Sequence, residues 1–378
     1  MKRIPRLVDE YQYKDILEAY FDCRRRKRYT IPALKFESNY SDLLMCLLDS
    51  INNGTYEIGP SRAFVVTWPK PREIWAAKFV DRIAHHLICR DLFPYYVPRF
   101  IKTNCACIRG RGTKYAVECL NSFCRSITRD WTDIAYYLKF DISNFFVSVD
   151  KRILWKLIER DLGNDSLTSN LFYKIIMKDQ KKNAEIAHNS KFDMIPKCKS
   201  LWFTDEFHGL PIGDLTSQLC ASGIYLNGLD MFIKHVLKCK FYVRYVDDAV
   251  ILSKDSSELE RISLRINKWL NENRRLKLSA KKTFINRIDS GIDFVGHRIL
   301  PYRVYTRNLT KSRMINSARE LIKSPTDGDL INSINSYLGL LRFSDSYNIR
   351  KQMCELVALN DILDFDEEYT KIFSRIVI

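Results

Sequence analysis

Tyr245-Val246-Asp247-Asp248 lies between Phe241-Tyr242-Val243-Arg244 and Ala249-Val250-Ile251-Leu252. The aromatic and β-branched residues on both sides read as two strands, and the acidic pair between them as a hairpin turn. Two adjacent carboxylates are costly inside an apolar pairing, because desolvation and mutual repulsion both oppose ionisation. A turn that presents both to a hard divalent cation removes that cost. Asp-Asp is also an ordinary turn dipeptide, used for geometry alone. A second strand-like run, Ala135-Tyr136-Tyr137-Leu138-Lys139-Phe140-Asp141-Ile142-Ser143-Asn144-Phe145-Phe146, carries one carboxylate near its end. Taken singly, Asp141 is a strand-end turn residue. Beside the Asp247-Asp248 turn it would complete a three-carboxylate set of the kind used in two-metal phosphoryl transfer.

The 378 residues suffice for a large core and two or three subdomains. With 46% hydrophobic and 28% charged residues the chain reads as folded rather than disordered. Lys and Arg total 61 against 45 Asp and Glu, a net charge of +16, which points to a polyanionic partner. Anionic membranes also attract basic surfaces, but no apolar run reaches the roughly 18 residues needed to span a bilayer. The start, Met1-Lys2-Arg3-Ile4-Pro5-Arg6, lacks the apolar segment of a secretory signal. Eleven scattered cysteines then suggest reduced thiols in a cytoplasm. Cys105-Ala106-Cys107 has neither the spacer nor the second pair of a zinc site.

Along the chain, the first part is helical in character and includes the basic run Arg24-Arg25-Arg26-Lys27-Arg28. Such a run is a solvated face or a grip on nucleic acid. Phe64 to Trp68 reads as a strand stopped by Pro69-Lys70-Pro71-Arg72. A helix is expected from Lys78 to Leu92, with Phe79, Ile83, Leu87 and Ile88 on one face. His85-His86 falls within it and reads as structural. Asp150 is placed to cap a helix with a Leu154, Leu157, Ile158 and Leu162 stripe, stopped at Gly163. Lys178 to His208 reads as a loop or short hairpin. A helix from about Thr216 would carry Leu219, Leu226, Leu229, Ile233 and Val236 inward, and another would run from about Ser257 to Asn273. Leu276-Lys277-Leu278 would begin a strand, and Phe294 to Ile299 would be another, with Gly296 allowing close backbone approach. From about Tyr302 the pattern turns mostly helical, with a domain boundary at Leu300-Pro301.

This ordered set resembles a reverse transcriptase over nearly the whole chain. Tyr245-Val246-Asp247-Asp248 matches the Tyr-X-Asp-Asp box, and Asp141-Ile142-Ser143-Asn144-Phe145-Phe146 resembles the strand bearing the first metal ligand. Leu276 to Thr283, with its Lys282-Thr283 pair, is similar to the later palm motif, and Phe294-Val295-Gly296-His297 to the primer grip. Pro69 to Arg72 followed by Phe79-Val80-Asp81-Arg82 resembles the fingers of bacterial members. Leu210-Pro211-Ile212-Gly213-Asp214-Leu215-Thr216-Ser217-Gln218 narrows the likeness. Retrons and group II introns usually carry Gln before this Gly and often Pro after the Ser; here Ile212 and Gln218 stand there. That pattern is similar to reverse transcriptases of diversity-generating retroelements, as is an ending near residue 378 with no visible endonuclease, maturase or ribonuclease H extension. Tyr337 to Leu341 matches a helical thumb loosely.

The resemblance implies an α+β right-hand polymerase: fingers and palm in 1–300, with palm strands about 135–150 and 240–300, and a mainly helical thumb in 301–378. It implies an RNA-directed DNA polymerase with two Mg²⁺ ions held by Asp141, Asp247 and Asp248, joined by the main-chain carbonyl of Ile142. Lys70 and Arg72 would clamp the triphosphate, Arg as a planar fork and Lys as a point charge, or form an exposed basic turn. Phe146 would crowd a ribose 2′-hydroxyl or simply pack in the core. Lys282 would approach the leaving pyrophosphate, or share a solvated pair with Lys281. Ile212 and Gln218 would line the nucleotide, and Gly296 and His297 the primer. Arg109-Gly110-Arg111-Gly112, flexible and cationic, would track a template strand or be a surface loop.

Implied partners are template RNA, the RNA/cDNA duplex, dNTPs, a structured non-coding RNA and a small basic helical accessory protein. Alternatives are a retron-like or defence-associated reverse transcriptase, an RNA-synthesising polymerase, and an idle RNA-binding scaffold on the same fold.

Overall fold

Phe79, Ile83, Leu87 and Ile88 all point inward from one helix, Phe79–Tyr96, in the computed structural model. The helix runs four residues past the expected Leu92 because Tyr95 and Tyr96 are also buried, and it accommodates Pro94. The structure describes residues 6–25, 27–67, 70–188, 190–324, 328–358 and 362–374, so Trp68, Pro69 and Arg26 of the segments named above lie outside the described residues. Helices combine with largely antiparallel sheets, an α+β fold. The chain divides into two compact units, each assembled from separate stretches of sequence.

The first unit comprises Met1–Arg109, Phe140–Lys240 and Arg261–Thr283. Helices Tyr13–Arg24 and Ile31–Glu37 pack on Phe79–Tyr96. Strands Arg62–Val66 and Arg72–Ala76 pair antiparallel, Ala63 opposite Trp75. The strand read as Phe64 to Trp68 therefore starts two residues earlier. Lys178 to His208 is a loop with short 3₁₀ turns, and not a hairpin: Glu185–Ile186 pairs parallel with Arg62 and Ala63. Buried Glu73 organises it, accepting from Trp75 Nε1 at 2.6 Å, Ser200 Oγ at 2.5 Å and Leu201 N at 2.8 Å.

Asp150 caps helix Lys151–Leu162 as expected, accepting from the N–H groups of Arg152 and Ile153, and Gly163 ends it at φ 70°. Trp155 is buried on this helix while Leu157 is half-buried. A further helix, Leu167–Met177, capped by Ser166, was not read from the sequence. From Leu215 to Val236 the chain is helical throughout, but α turns alternate with π turns at Leu219–Tyr225 and Phe232–Val236. Leu219, Leu226, Leu229 and Ile233 are buried as the stripe requires, whereas Val236 is 56% exposed. The wider π turn rotates it off the apolar face. In Leu276-Lys277-Leu278, Leu278 makes one bridge, to Ile142; the strand proper comes later, at Phe284–Arg287 in the second unit.

The second unit comprises Gly110–Lys139, Phe241–Glu260 and Phe284–Ile378. Its four-stranded sheet has the order Tyr242–Tyr245, Asp248–Ser253, Tyr136–Asp141, Phe284–Arg287; the last two residues of Tyr136–Asp141 count with the first unit. Helix Thr113–Ile127 packs on the first two strands through Ala116, Val117, Leu120, Cys124 and Ile127. Phe294 to Ile299 is not one strand. Ile292–Phe294 and His297–Leu300 pair antiparallel around Val295-Gly296, both at positive φ, and Arg303–Thr306 follows across the Pro301-Tyr302 turn. A Cβ on Gly296 would meet nothing within 4 Å, so this glycine supplies a left-handed turn residue and not close approach.

Beyond Tyr302 the chain is mostly helical, as expected, after the strand Arg303–Thr306. Helices Asn308–Lys323, Gly328–Leu341 and Tyr347–Val357 close on Met314, Leu338 and Val357, with a small hairpin Leu363–Phe365/Ile372–Ser374 at their side. Among the described residues no helix is long and apolar enough to cross a membrane.

Candidate active site

In the second unit, Val243 and Ala249 to Leu252 are buried, which fixes the two strands flanking the acidic pair. Tyr245 pairs with Asp248, leaving Val246-Asp247 as a two-residue turn with Val246 at φ 57°. Asp247 and Asp248 are half-buried at its tip. Lys139 Nζ sits 3.2 Å from Asp248 Oδ2 and donates to the Asp293 carbonyl at 2.6 Å. Arg244, fully buried, donates from Nη1 to the Val246 carbonyl at 2.9 Å.

In the first unit, Asp141 is buried at the end of its strand. Its carbonyl accepts from Ser279 N at 2.8 Å, and Ser143 N donates to the Lys277 carbonyl at 2.9 Å. Ile142 and Leu278 are the pair between these two bonds. In such a non-hydrogen-bonded pair the N–H and C=O of Ile142 face away from Leu278, so this ladder does not use its carbonyl. Lys282 Nζ lies 2.6 Å from Asp141 Oδ2.

The same unit ties two of the nucleotide-lining candidates, Phe146 and Ile212, into one backbone strap. Phe145 is buried and Phe146 half-buried, their rings 5.4 Å apart, and Leu210 N donates to the Phe146 carbonyl at 2.8 Å. Trp75 N donates to the Ile212 carbonyl at 3.1 Å. Gly213 follows at φ 136°, where a Cβ would stand 3.1 Å from the Trp75 carbonyl oxygen, so glycine is required there. Thr216 and His85 are joined at 2.9 Å through Oγ1 and Nδ1. Burial lowers the His85 pKa, consistent with a structural and neutral imidazole. His86 is likewise pushed down by burial, to about 4. Gln218, Lys70 and Arg72 are exposed.

Arg109 and Gly110 are exposed, Arg111 and Gly112 half-buried, and Gly112 precedes helix Thr113–Ile127 as its N-cap. His297 is fully buried within the second unit, its pKa lowered by burial, with Nδ1 3.4 Å from the Val295 carbonyl.

Sequence reasoning missed Lys139 and Arg244. The signal was present: each is a charge inside an otherwise apolar or aromatic strand, where an unpaired charge is costly. Among the described residues no three His, Cys, Asp or Glu side chains form a metal-holding group. The donor atoms of the two acidic segments are all oxygen, which suits a hard divalent cation. In this arrangement Asp141 and Asp248 each face a lysine ammonium.

A family model described as reverse transcriptase (RNA-dependent DNA polymerase) matches residues 71–299, more than half of the chain. No individually curated protein matches it.

Proposed function

We propose that in this chain, which belongs to the reverse transcriptase family and is an RNA-directed DNA polymerase acting on template RNA and dNTPs with divalent metal, Asp141, Asp247 and Asp248, with the Ile142 carbonyl, hold two Mg²⁺ ions for nucleotidyl transfer. The observation that carries this is the Lys139–Asp248 pair. In this pair the Asp248 carboxylate already draws a cation to the acidic turn, as a metal-binding carboxylate would.

When bound, the ions activate the primer 3′-hydroxyl and stabilise the leaving pyrophosphate. Lys70 and Arg72 bind the triphosphate, the guanidinium as a fork and the ammonium as a point charge. Phe146 limits room for a 2′-hydroxyl. Lys282, once its ammonium leaves Asp141, stands as a proton donor to the leaving group. Arg109 to Gly112 bind template backbone. Gly296 and His297 bind the primer end through main-chain groups, since the His297 side chain is buried. Residues 1–300 serve as fingers and palm, and 301–378 as thumb.

The Ile212 to Gln218 pattern supports the narrower reading of a diversity-generating retroelement enzyme, error-prone at template adenines, that works with a structured non-coding RNA and a small basic accessory protein.

Single-nucleotide incorporation on an RNA template and DNA primer with Mg²⁺ tests the catalytic reading. Asp247→Asn is expected to fold normally and lose about 10³-fold or more in rate, several kcal/mol of transition-state stabilisation. A folded Asp247→Asn enzyme with wild-type turnover overturns it.

A further inference from the structure

Among the described residues, Arg244 is the second-largest of the fully buried side chains, at 0% exposure. A guanidinium in that position is retained at a desolvation cost, so what it touches matters. Its Nη1 donates at 2.9 Å to the carbonyl of Val246, the first residue of the two-residue turn that presents Asp247 and Asp248. Val246 holds φ 57°, a left-handed conformation that β-branched residues resist and that glycine usually fills at this turn position. A buried cation thus fastens the carbonyl of a strained residue immediately before the acidic pair.

We propose that Arg244 is a positioning residue for nucleotidyl transfer: by clamping the Val246 carbonyl it holds the turn in the left-handed form that aims the Asp247 and Asp248 carboxylates. The inference rests on the reading of these carboxylates as metal ligands. It assigns the orientation of the ligands to a side chain that touches neither substrate nor metal. The guanidinium suits the task because its rigid planar head fixes the direction of the Nη1 donor, while a lysine ammonium on a flexible stem does not.

The test uses Arg244→Lys, which keeps a cation, alone and with Val246→Gly, which accepts positive φ without strain. The readouts are kcat, template–primer Kd and the Mg²⁺ concentration for half-maximal rate, with thermal melting to establish folding. Arg244→Lys is expected to lower kcat about 10- to 100-fold, raise the Mg²⁺ requirement several-fold and leave template–primer Kd unchanged. Adding Val246→Gly is expected to recover most of both losses, because the turn then needs no clamp. A folded Arg244→Lys enzyme with an unaltered Mg²⁺ requirement overturns the proposal. So does a double variant no better than Arg244→Lys, which would make Arg244 merely structural. If Arg244→Lys does not fold, Val246→Gly in the wild-type background decides. A lower Mg²⁺ requirement or unchanged turnover there supports a turn held against strain, and a collapse of turnover overturns it. Asp247→Asn run in parallel separates the premises, since full activity in that variant removes the ligand reading whatever Arg244 does.

Discussion

Lys139 and Asp248 stand 3.2 Å apart, ammonium to carboxylate, and the same ammonium donates to the Asp293 carbonyl at 2.6 Å. With side-chain exposures of 12% and 26%, the pair is shielded from solvent more than a surface ion pair. It ties the acidic turn to the Ile292–Phe294 strand within the second unit.

Lys139→Met removes the partner of a shielded carboxylate and is expected to destabilise the fold by about 1–3 kcal/mol without divalent metal. Under the proposed metal assignment, Mg²⁺ replaces the lost cation, so the deficit shrinks when Mg²⁺ is added. Urea unfolding of wild type and variant, with and without Mg²⁺, measures both. An identical deficit in the two conditions would argue against metal at Asp248.

Phe145 and Phe146 are neighbours with different burial, which separates packing from selection. Phe145→Ala is expected to cost about 3–5 kcal/mol of stability as a core truncation. Phe146→Ala should cost less and lower the dNTP-to-rNTP efficiency ratio about tenfold or more. An unchanged ratio leaves Phe146 as a packing residue.

The charge of +16 predicts that binding to structured RNA weakens log-linearly with salt, with a slope reporting several phosphate contacts. Titrations between about 50 and 200 mM salt read it directly. A flat response excludes a grip dominated by the phosphate backbone.

Under the proposed nucleotide-lining role, Ile212 would pack where a glutamine could hydrogen-bond near the nascent pair, and the base of the incoming nucleotide would be held less strictly than its phosphates. Sequencing cDNA made by wild type and Ile212→Gln on one RNA template is expected to give frequent errors opposite adenine in the first and several-fold fewer in the second. Equal and low adenine error in both removes the retroelement reading while leaving a reverse transcriptase.

What could be read from the chain depended on how local each signal was. The hairpin at the acidic pair, the Asp150 cap, the Gly163 stop and the Ser256–Arg274 helix follow from neighbours in sequence and are found, though the turn falls one residue earlier than read, at Val246-Asp247, and Asp248 opens the second strand. Val236 went astray because π turns shift the helical period, and these arise from packing around a residue and not from its neighbours alone. Gly296 was assigned the wrong purpose because a glycine in an apolar run suits both close approach and a left-handed turn.

By itself the sequence determined the two strands around Asp247, the strand leading into Asp141, the order of the motifs and the oxygen-rich chemistry they offer, since strand periodicity and turn preference act over a few residues; the strand read through to Phe146 instead ends at Asp141, and Phe145–Ser148 is a helical turn. Tertiary structure decided which charges neutralise those carboxylates. Lys282 meets the Asp141 carboxylate across 141 residues of chain, and Lys139 meets the Asp248 carboxylate while donating to the backbone carbonyl of Asp293, 154 residues away; Arg244 donates to the Val246 carbonyl. Only folding determines which charges lose water together, and a charge that loses water must find its partner in space.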